Sequence, residues 1–349
     1  MKRDYLVTGS KKKIYYIVEP VEWVTNWEGK YITENIRRHY NYPIKMMKTS
    51  RIRTSLIRDQ ILHFGSRSTY LPDNYKYVNK KNKIVLTWYH GTNEDVGYIK
   101  ALFIASRNIS FVHTSNMITR NQLVKWGIEP GRIKIIPIGI DLALFSGSET
   151  EDKEKIREEL GIPKGSVCIG SFQKDGNGWG AGNTPKRVKG PDILCDVLEK
   201  LKIDYPIFVL LTGPARGYVK NRLKESGIPF NHIFLKKYFD ITRYYKALDF
   251  YIISSRTEGG PKSLLETFAS GIPLVSTDVG MVHDIAKDGY NALISEIEDV
   301  NGLFKNSKRL IEDINLGNKL AKVGLETVKE FDWNIISKRY FEEIYSRLF

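Results

Sequence analysis

Cysteine is nearly absent from this chain: Cys168 and Cys195 are the only two in 349 residues. One sits in an apolar strand-like run and the other on an apolar helix-like face, so buried free thiols are expected rather than a disulfide. That suits a reducing cytoplasm. Six histidines and two cysteines form no pair at metal-ligand spacing, and no metal is expected. Long apolar runs are missing too; nothing approaches the roughly 20 consecutive apolar residues of a membrane-spanning helix. The stretch from Met1 to Pro20 has a basic flank and a short apolar run that meets Glu19, which reads as neither signal peptide nor anchor. Repeats and low-complexity tracts are also lacking. What remains is ordinary globular material, 42% hydrophobic and 27% charged, long enough for two domains.

Charge is unevenly spread. Residues 1–150 carry 24 Lys and Arg against 12 Asp and Glu, so nearly all of the formal +14 belongs to the first half. The density peaks at Lys45, Lys48, Arg51, Arg53 and Arg58. Such a half attracts phosphates, nucleic acid or an anionic membrane surface, or is simply a solvated face. Ile44, Met46, Met47, Ile52 and Leu56 are interleaved with these cations, a pattern that could rest at a lipid interface.

Short β-branched or aromatic runs alternate with helix-period segments almost throughout. Strands are expected at Ile14–Val18, Gln60–Phe64, Ile84–Tyr89, Ile109–His113 and Ile133–Pro137, then at Val167–Phe172, Ile207–Thr212, Ile233–Lys236, Phe250–Ser254 and Pro273–Ser276. This alternation argues for parallel sheets covered on both faces. The rhythm breaks after Pro137-Ile-Gly-Ile-Asp141, where a polar, acidic stretch begins at Ser146. A hinge near Leu142–Gly147 would separate two doubly wound units across a cleft. In Asp332–Phe349, residues Trp333, Ile336, Tyr340, Ile344 and Leu348 recur at roughly helical spacing.

Chemistry concentrates between Ser254 and Asn291. An apolar strand runs into a turn carrying Glu258, Gly259, Gly260 and Pro261, and a helix follows with Leu264, Leu265 and Phe268 on one side. The glycines permit close backbone approach, and the proline suits a first helical turn. The N–H groups of Lys262, Ser263 and Leu264 would face the cleft with the positive end of the helix dipole, an anion site suited to a diphosphate. Glu258 and Glu266 are acceptors for neighbouring hydroxyls, though a pair of surface carboxylates on any strand–turn–helix looks the same.

The block EGGPKSLLETFASGIPLVSTDVG resembles the donor-site block of glycosyltransferase family 4, retaining enzymes of the GT-B fold; it departs from the family pattern mainly at Thr267 and Leu274. IKIIPIGIDLALF (133–145) is similar to the interdomain stretch of that family, and CIGSFQKDG with KRVKGPD (168–192) to its Arg and Lys diphosphate block. Lys189 matches the lysine. Lys174 takes the arginine position, or Arg187 does, across a longer loop 175–187 that is either a mobile lid or a plain surface loop. A lysine there keeps the charge but loses the bidentate fork. His90, in TWYHGT, resembles the histidine that lies near the transferred sugar, whereas His63 and His113 read as structural hydrogen-bonders. Gly29 in NWEGKY resembles the glycine of the first strand–helix turn, and the C-terminal aromatic helix resembles the segment that crosses back to the first domain.

The resemblance therefore implies an α/β GT-B chain of two Rossmann-like doubly wound domains: 1–144 plus 332–349 on the acceptor side, and 145–331 for the nucleotide sugar. It implies a retaining, metal-independent transferase with a UDP- or GDP-sugar as co-substrate. Lys174, Lys189, Gly259, Gly260, Lys262, Ser263 and Leu264 would hold the diphosphate, Glu266 the ribose, and Glu258 and His90 the reacting sugar. The expected acceptor is a glycan or lipid-linked glycan, reached at the inner face of the membrane through the basic half. A sugar-nucleotide epimerase or phosphorylase, and a basic nucleic-acid-binding protein, are the rival classes; no nucleic-acid-binding module is present, so nucleic acid is not an expected partner.

Overall fold

The computed structural model describes residues 12–20, 24–71, 73–146 and 152–349. Most of the basic N-terminal flank, the hinge residue Gly147 and the start of the acidic stretch lie outside these residues. Two compact units result, one from the residues up to Gly139 together with Trp333–Phe349, the other from Ile140–Asp332.

The first unit contains strands β1 (Ile14–Val18), β2 (Ile44–Lys48), β3 (Ile61–Phe64), β4 (Lys83–Thr87), β5 (Ile109–Thr114) and β6 (Ile133–Ile135). They form one parallel sheet in the order β2-β1-β3-β4-β5-β6. Strand β3 is buried along its whole length, as a strand covered on both faces must be. The cation-rich segment begins with β2, an edge strand whose Ile44 is buried at 4% exposure. It continues as two short 3₁₀ turns, in which Leu56 is exposed. One reading of the sequence needs correction here. Gly29 lies inside helix α1 (Val24–Tyr40), not in the turn before it. A Cβ there would come within 2.8 Å of the Tyr16 ring, so the glycine lets α1 close onto β1.

The C-terminal segment is helical over Trp333–Arg339, π-helical over Tyr340–Ile344 and 3₁₀ over Tyr345–Arg347. Trp333 stacks on Tyr31 with ring centroids 5.3 Å apart, and Gly139 leaves no room for a Cβ against the indole. Tyr345 and Tyr340 enter a buried chain of neutral groups. His63 Nδ1 lies 2.6 Å from the Tyr345 hydroxyl and its Nε2 2.8 Å from Thr87 Oγ1; Thr87 Oγ1 is 3.0 Å from His113 Nδ1. His113 Nε2 reaches the Ile136 carbonyl at 2.9 Å. Burial drives the pKa of His63 well down and that of His113 to about 4, so both stay neutral. They are structural hydrogen-bonders.

The second unit holds β7 (Val167–Phe172), β8 (Ile207–Thr212), β9 (Phe230–Ile233), β10 (Phe250–Ile253), β11 (Leu274–Thr277) and β12 (Leu293–Ser295), all parallel, in the order β12-β11-β10-β7-β8-β9. Strand β9 falls three residues earlier than the apolar run suggested, paired to β8 by Phe230 and the polar Asn231 and His232. Helix α2 (Pro191–Asp204) places Ile193, Leu194, Val197, Leu198 and Leu201 in the core, the 3–4 spacing of a helix with one buried face. Cys195 and Cys168 are free, and burial pushes both thiols up to about 12. Helices Val300–Glu312 and Ile314–Thr327 close the unit beyond the part read from sequence.

Candidate donor site

In the second sheet β7 and β10 are neighbours, and the chain winds outward from them in both directions. Loops leaving the carboxyl ends of two such strands diverge and open a crevice, where parallel α/β sheets bind ligands. The loop after β7 carries Lys174 and, further on, Lys189; the loop after β10 carries Glu258, Gly259 and Gly260 and leads into α3 (Lys262–Ala269).

These loops are clamped together by backbone. Gly190, with φ 59° and ψ 40°, caps α2 in the left-handed region. A Cβ there would sit 1.8 Å from the Ser254 carbonyl oxygen, so no other residue fits. Ser254 Oγ donates to the Gly190 carbonyl at 2.8 Å, and the Arg256 and Thr257 N–H groups donate to the Val188 carbonyl. Gly280 (φ 49°) plays the same part on the other side, lying against the carbonyls of Glu258 and Gly259.

The clamp brings Lys189 and Glu258 together. Lys189 Nζ lies 2.6 Å from Glu258 Oε1, and Ser255 Oγ donates to that same oxygen at 2.8 Å. Among the described residues nothing bonds Glu258 Oε2. The carboxylate is 8% exposed and thus positioned with one oxygen still able to accept. Arg187 is mostly exposed, and its guanidinium pairs with Asp192 at 3.1 Å. The Lys174 ammonium stands 3.9 Å from the centre of the Trp179 ring.

At α3 the structure changes one expectation. Pro261 precedes the helix as its cap, and its carbonyl accepts the Leu264 N–H at 3.0 Å, so that donor is spent inside the helix. Lys262 and Ser263 are the first helical residues, with Lys262 Nζ 4.1 Å from the centre of the Tyr238 ring. Glu266 is buried, its Oε2 accepting from the Tyr245 hydroxyl at 3.0 Å and its Oε1 from Tyr238. Burial, and then the nearby Glu266 charge, hold the Tyr245 phenol well above its ordinary pKa, so it remains a donor. Ser255, Tyr238, Tyr245 and the two clamp glycines escaped the sequence reading. The glycine preceding Pro191 was the one visible signal, because a residue before an N1 proline is pushed out of the right-handed helical region.

His90 belongs to the first unit. It is exposed, three residues past the end of β4, and near Asp95. Burial raises the Asp95 pKa, but the Arg67 guanidinium, the Thr92 N–H and the nearby His90 together bring it below the ordinary carboxylate value.

Two six-stranded parallel sheets, each built from strands alternating with helices, give an α/β protein of GT-B type. Residues 183–326, inside the second unit, match the family of glycosyl transferases group 1. The lipopolysaccharide core biosynthesis mannosyltransferase LpsB of Rhizobium meliloti is 25% identical over 51% of this chain and 50% of its own. The putative teichuronic acid biosynthesis glycosyltransferase TuaC of Bacillus subtilis is 31% identical over 43% of this chain and 34% of its own. The chain thus spans half or less of the length of these curated relatives. The crystal structure of Anabaena HepE in complex with UDP and glucose superposes with a TM-score of 0.75 over 96% of this chain and 100% of that one, at 17% identity, which shows the fold.

Proposed function

We propose that the protein is a retaining glycosyltransferase that moves a sugar from a nucleotide diphosphate donor, a UDP- or GDP-sugar, to a cell-envelope glycan acceptor. The observation that carries the reading is the Lys189–Glu258 pair at the β7/β10 switch point, beside the start of α3. Lys189 and Lys174, with the backbone at Gly259, Gly260, Lys262 and Ser263, neutralise the departing diphosphate. That is electrostatic stabilisation aimed at charge developing in the transition state. Glu258 Oε2 accepts from hydroxyls of the transferred sugar. Glu266 serves the ribose once Tyr238 shares or yields its oxygen, and His90 contacts the donor sugar or leaving group.

The group 1 match and the envelope-polysaccharide relatives support this class, and the UDP and glucose held by HepE support the donor type. The acceptor is proposed to be anionic or lipid-linked and met by an enzyme peripheral on the cytoplasmic face. Among the described residues no helix is long and apolar enough to cross a membrane. Exposed Lys45, Arg51, Arg53 and Arg58 supply the positive face that an anionic acceptor or leaflet would meet. A screen for hydrolysis and transfer across UDP-, GDP- and ADP-sugars tests the proposal. Release of one nucleoside diphosphate from a preferred donor is expected; inertness toward all three classes would refute it.

A further inference from the structure

The loop between Lys174 and Lys189 is a hairpin held by backbone hydrogen bonds. Gly176 and Pro185 form an antiparallel bridge, Asn177 N–H donates to the Thr184 carbonyl at 2.9 Å, and Lys186 N–H donates to the Asp175 carbonyl at 2.7 Å. Its far side is pinned by the N–H groups of Gly217 and Tyr218, which donate to the Ala181 and Gly182 carbonyls. Cβ atoms at Gly176 and Gly182 would lie 2.3 and 2.2 Å from the Ala215 carbonyl oxygen, so only glycine seats there. Beneath it Asp175 and Arg216 pair at 3.1 Å with no exposed side-chain area. The guanidinium also ties the carbonyls of Ser171, Gln173 and Thr212 at the carboxyl ends of β7 and β8.

Such a base fixes what the two limbs carry. One limb begins with Lys174, whose ammonium is held over Trp179; that indole stands 63% exposed between Gly178 and Gly180. The other limb ends with Lys186, half-buried, whose carbonyl accepts the Lys189 N–H at 2.8 Å in a single turn. Among the described residues the Lys186 ammonium makes no ion pair. Burial lowers its pKa, with Lys189 and Lys174 adding to the lowering and Glu258 opposing it. The hairpin base bonds the Lys186 backbone to Asp175, next to Lys174, and to Lys189, the partner of Glu258. Three lysines thus gather at one loop base, with Lys189 paired to Glu258, an excess of positive charge that a polyanion would relieve.

We propose that Lys186 is a further binding residue for the donor diphosphate, and that Trp179 is the positioning residue that keeps Lys174 aimed at the same anion. Two ammonium groups on a rigid hairpin then stand where a single guanidinium fork is expected, with Arg187 drawn away by Asp192. The inference rests on the donor-site reading above.

Calorimetric titration of UDP, GDP, inorganic pyrophosphate and the matching nucleosides into the full chain tests it. Lys186→Gln should weaken the preferred nucleoside diphosphate and pyrophosphate about tenfold, leave nucleoside affinity unchanged and flatten the salt dependence. Lys186→Arg should retain binding. Trp179→Ala should weaken the same anions by a smaller factor, and Trp179→Phe should restore them because a ring face remains. Wild-type diphosphate affinity in Lys186→Gln, or an equal loss of nucleoside and diphosphate, overturns the inference while leaving the donor site standing if Lys189→Ala still loses diphosphate. Absence of diphosphate binding in the wild type overturns the donor-site reading, and this inference with it.

Discussion

The two sheets share a plan and fill their carboxyl ends oppositely. In the first unit His63, Thr87, His113, Tyr340 and Tyr345 bond to one another out of reach of water, and the C-terminal segment is the cover. In the second the equivalent places carry Lys174, Lys186, Lys189 and Glu258, charged groups around an open loop end. Neutral groups can close on themselves without a desolvation cost beyond what their hydrogen bonds return; charged groups in excess of one sign cannot. One sheet end is therefore closed by its own hydrogen bonds, and the other is the end proposed to meet an anion.

The largest expected effect falls on the closed end. Trp333→Ala removes a buried indole stacked on Tyr31 and should cost about 3–5 kcal/mol of stability in denaturant unfolding. Nucleotide affinity of the folded protein should not change. A loss of affinity without a loss of stability would blur the division of labour between the two ends.

Acid should open that end next. His63 and His113 are held neutral below their ordinary pKa of 6.5, so the unfolded chain takes up protons that the folded chain refuses. Their contribution is complete above pH 6.5 and drains away as pH falls toward the folded value of about 4 for His113. The slope is at most about 1.4 kcal/mol per pH unit for each histidine. His113→Asn should flatten the profile measured by chemical denaturation across that window. An unaltered slope would mean that the His113 ring does not carry the acid sensitivity.

At the other end, Glu258→Gln and Glu266→Gln should both impair transfer, in different parameters. On the proposed assignment of Glu258 to the reacting sugar and Glu266 to the ribose, Glu258→Gln should lower turnover, whereas Glu266→Gln should mainly raise the apparent dissociation constant of the donor. Wild-type kinetics from both would reduce the pair to structural carboxylates. The smallest effect per residue belongs to the exposed cations of the first unit. Lys45, Arg51, Arg53 and Arg58 should contribute about 1 kcal/mol each to binding of anionic liposomes, falling as salt shortens the field. Equal co-sedimentation with neutral liposomes would remove charge as the reason.

What could be read in advance follows from how local each signal is. Runs such as Ile207–Thr212, apolar through Leu211 and bounded by Pro206 and Gly213, announce buried parallel strands. Strand β2 did not announce itself, because an edge strand keeps lysines on its open side and looks like a charged linker. The three-residue β12 is too short to show a period. At the proposed site, Glu258, Glu266, Lys189 and the helix start were legible, since they lie at fixed spacings. Their partners were not. Lys189 meets Glu258 across 69 residues, and Tyr245 meets Glu266 across 21 on a different helix. The spent Leu264 donor depends on the backbone turn at Pro261, which a spacing argument does not contain.

Donor affinity measured against Lys189 tests the central claim most directly. Titration of the preferred nucleoside diphosphate into wild type and Lys189→Ala should show a loss on the order of 1.5–3 kcal/mol, the cost of a charge-assisted hydrogen bond to phosphate. Glu258 should be left unpaired, with the fold intact by circular dichroism. An unchanged dissociation constant in the folded mutant would contradict the account and take the anion site away from the β7/β10 switch point.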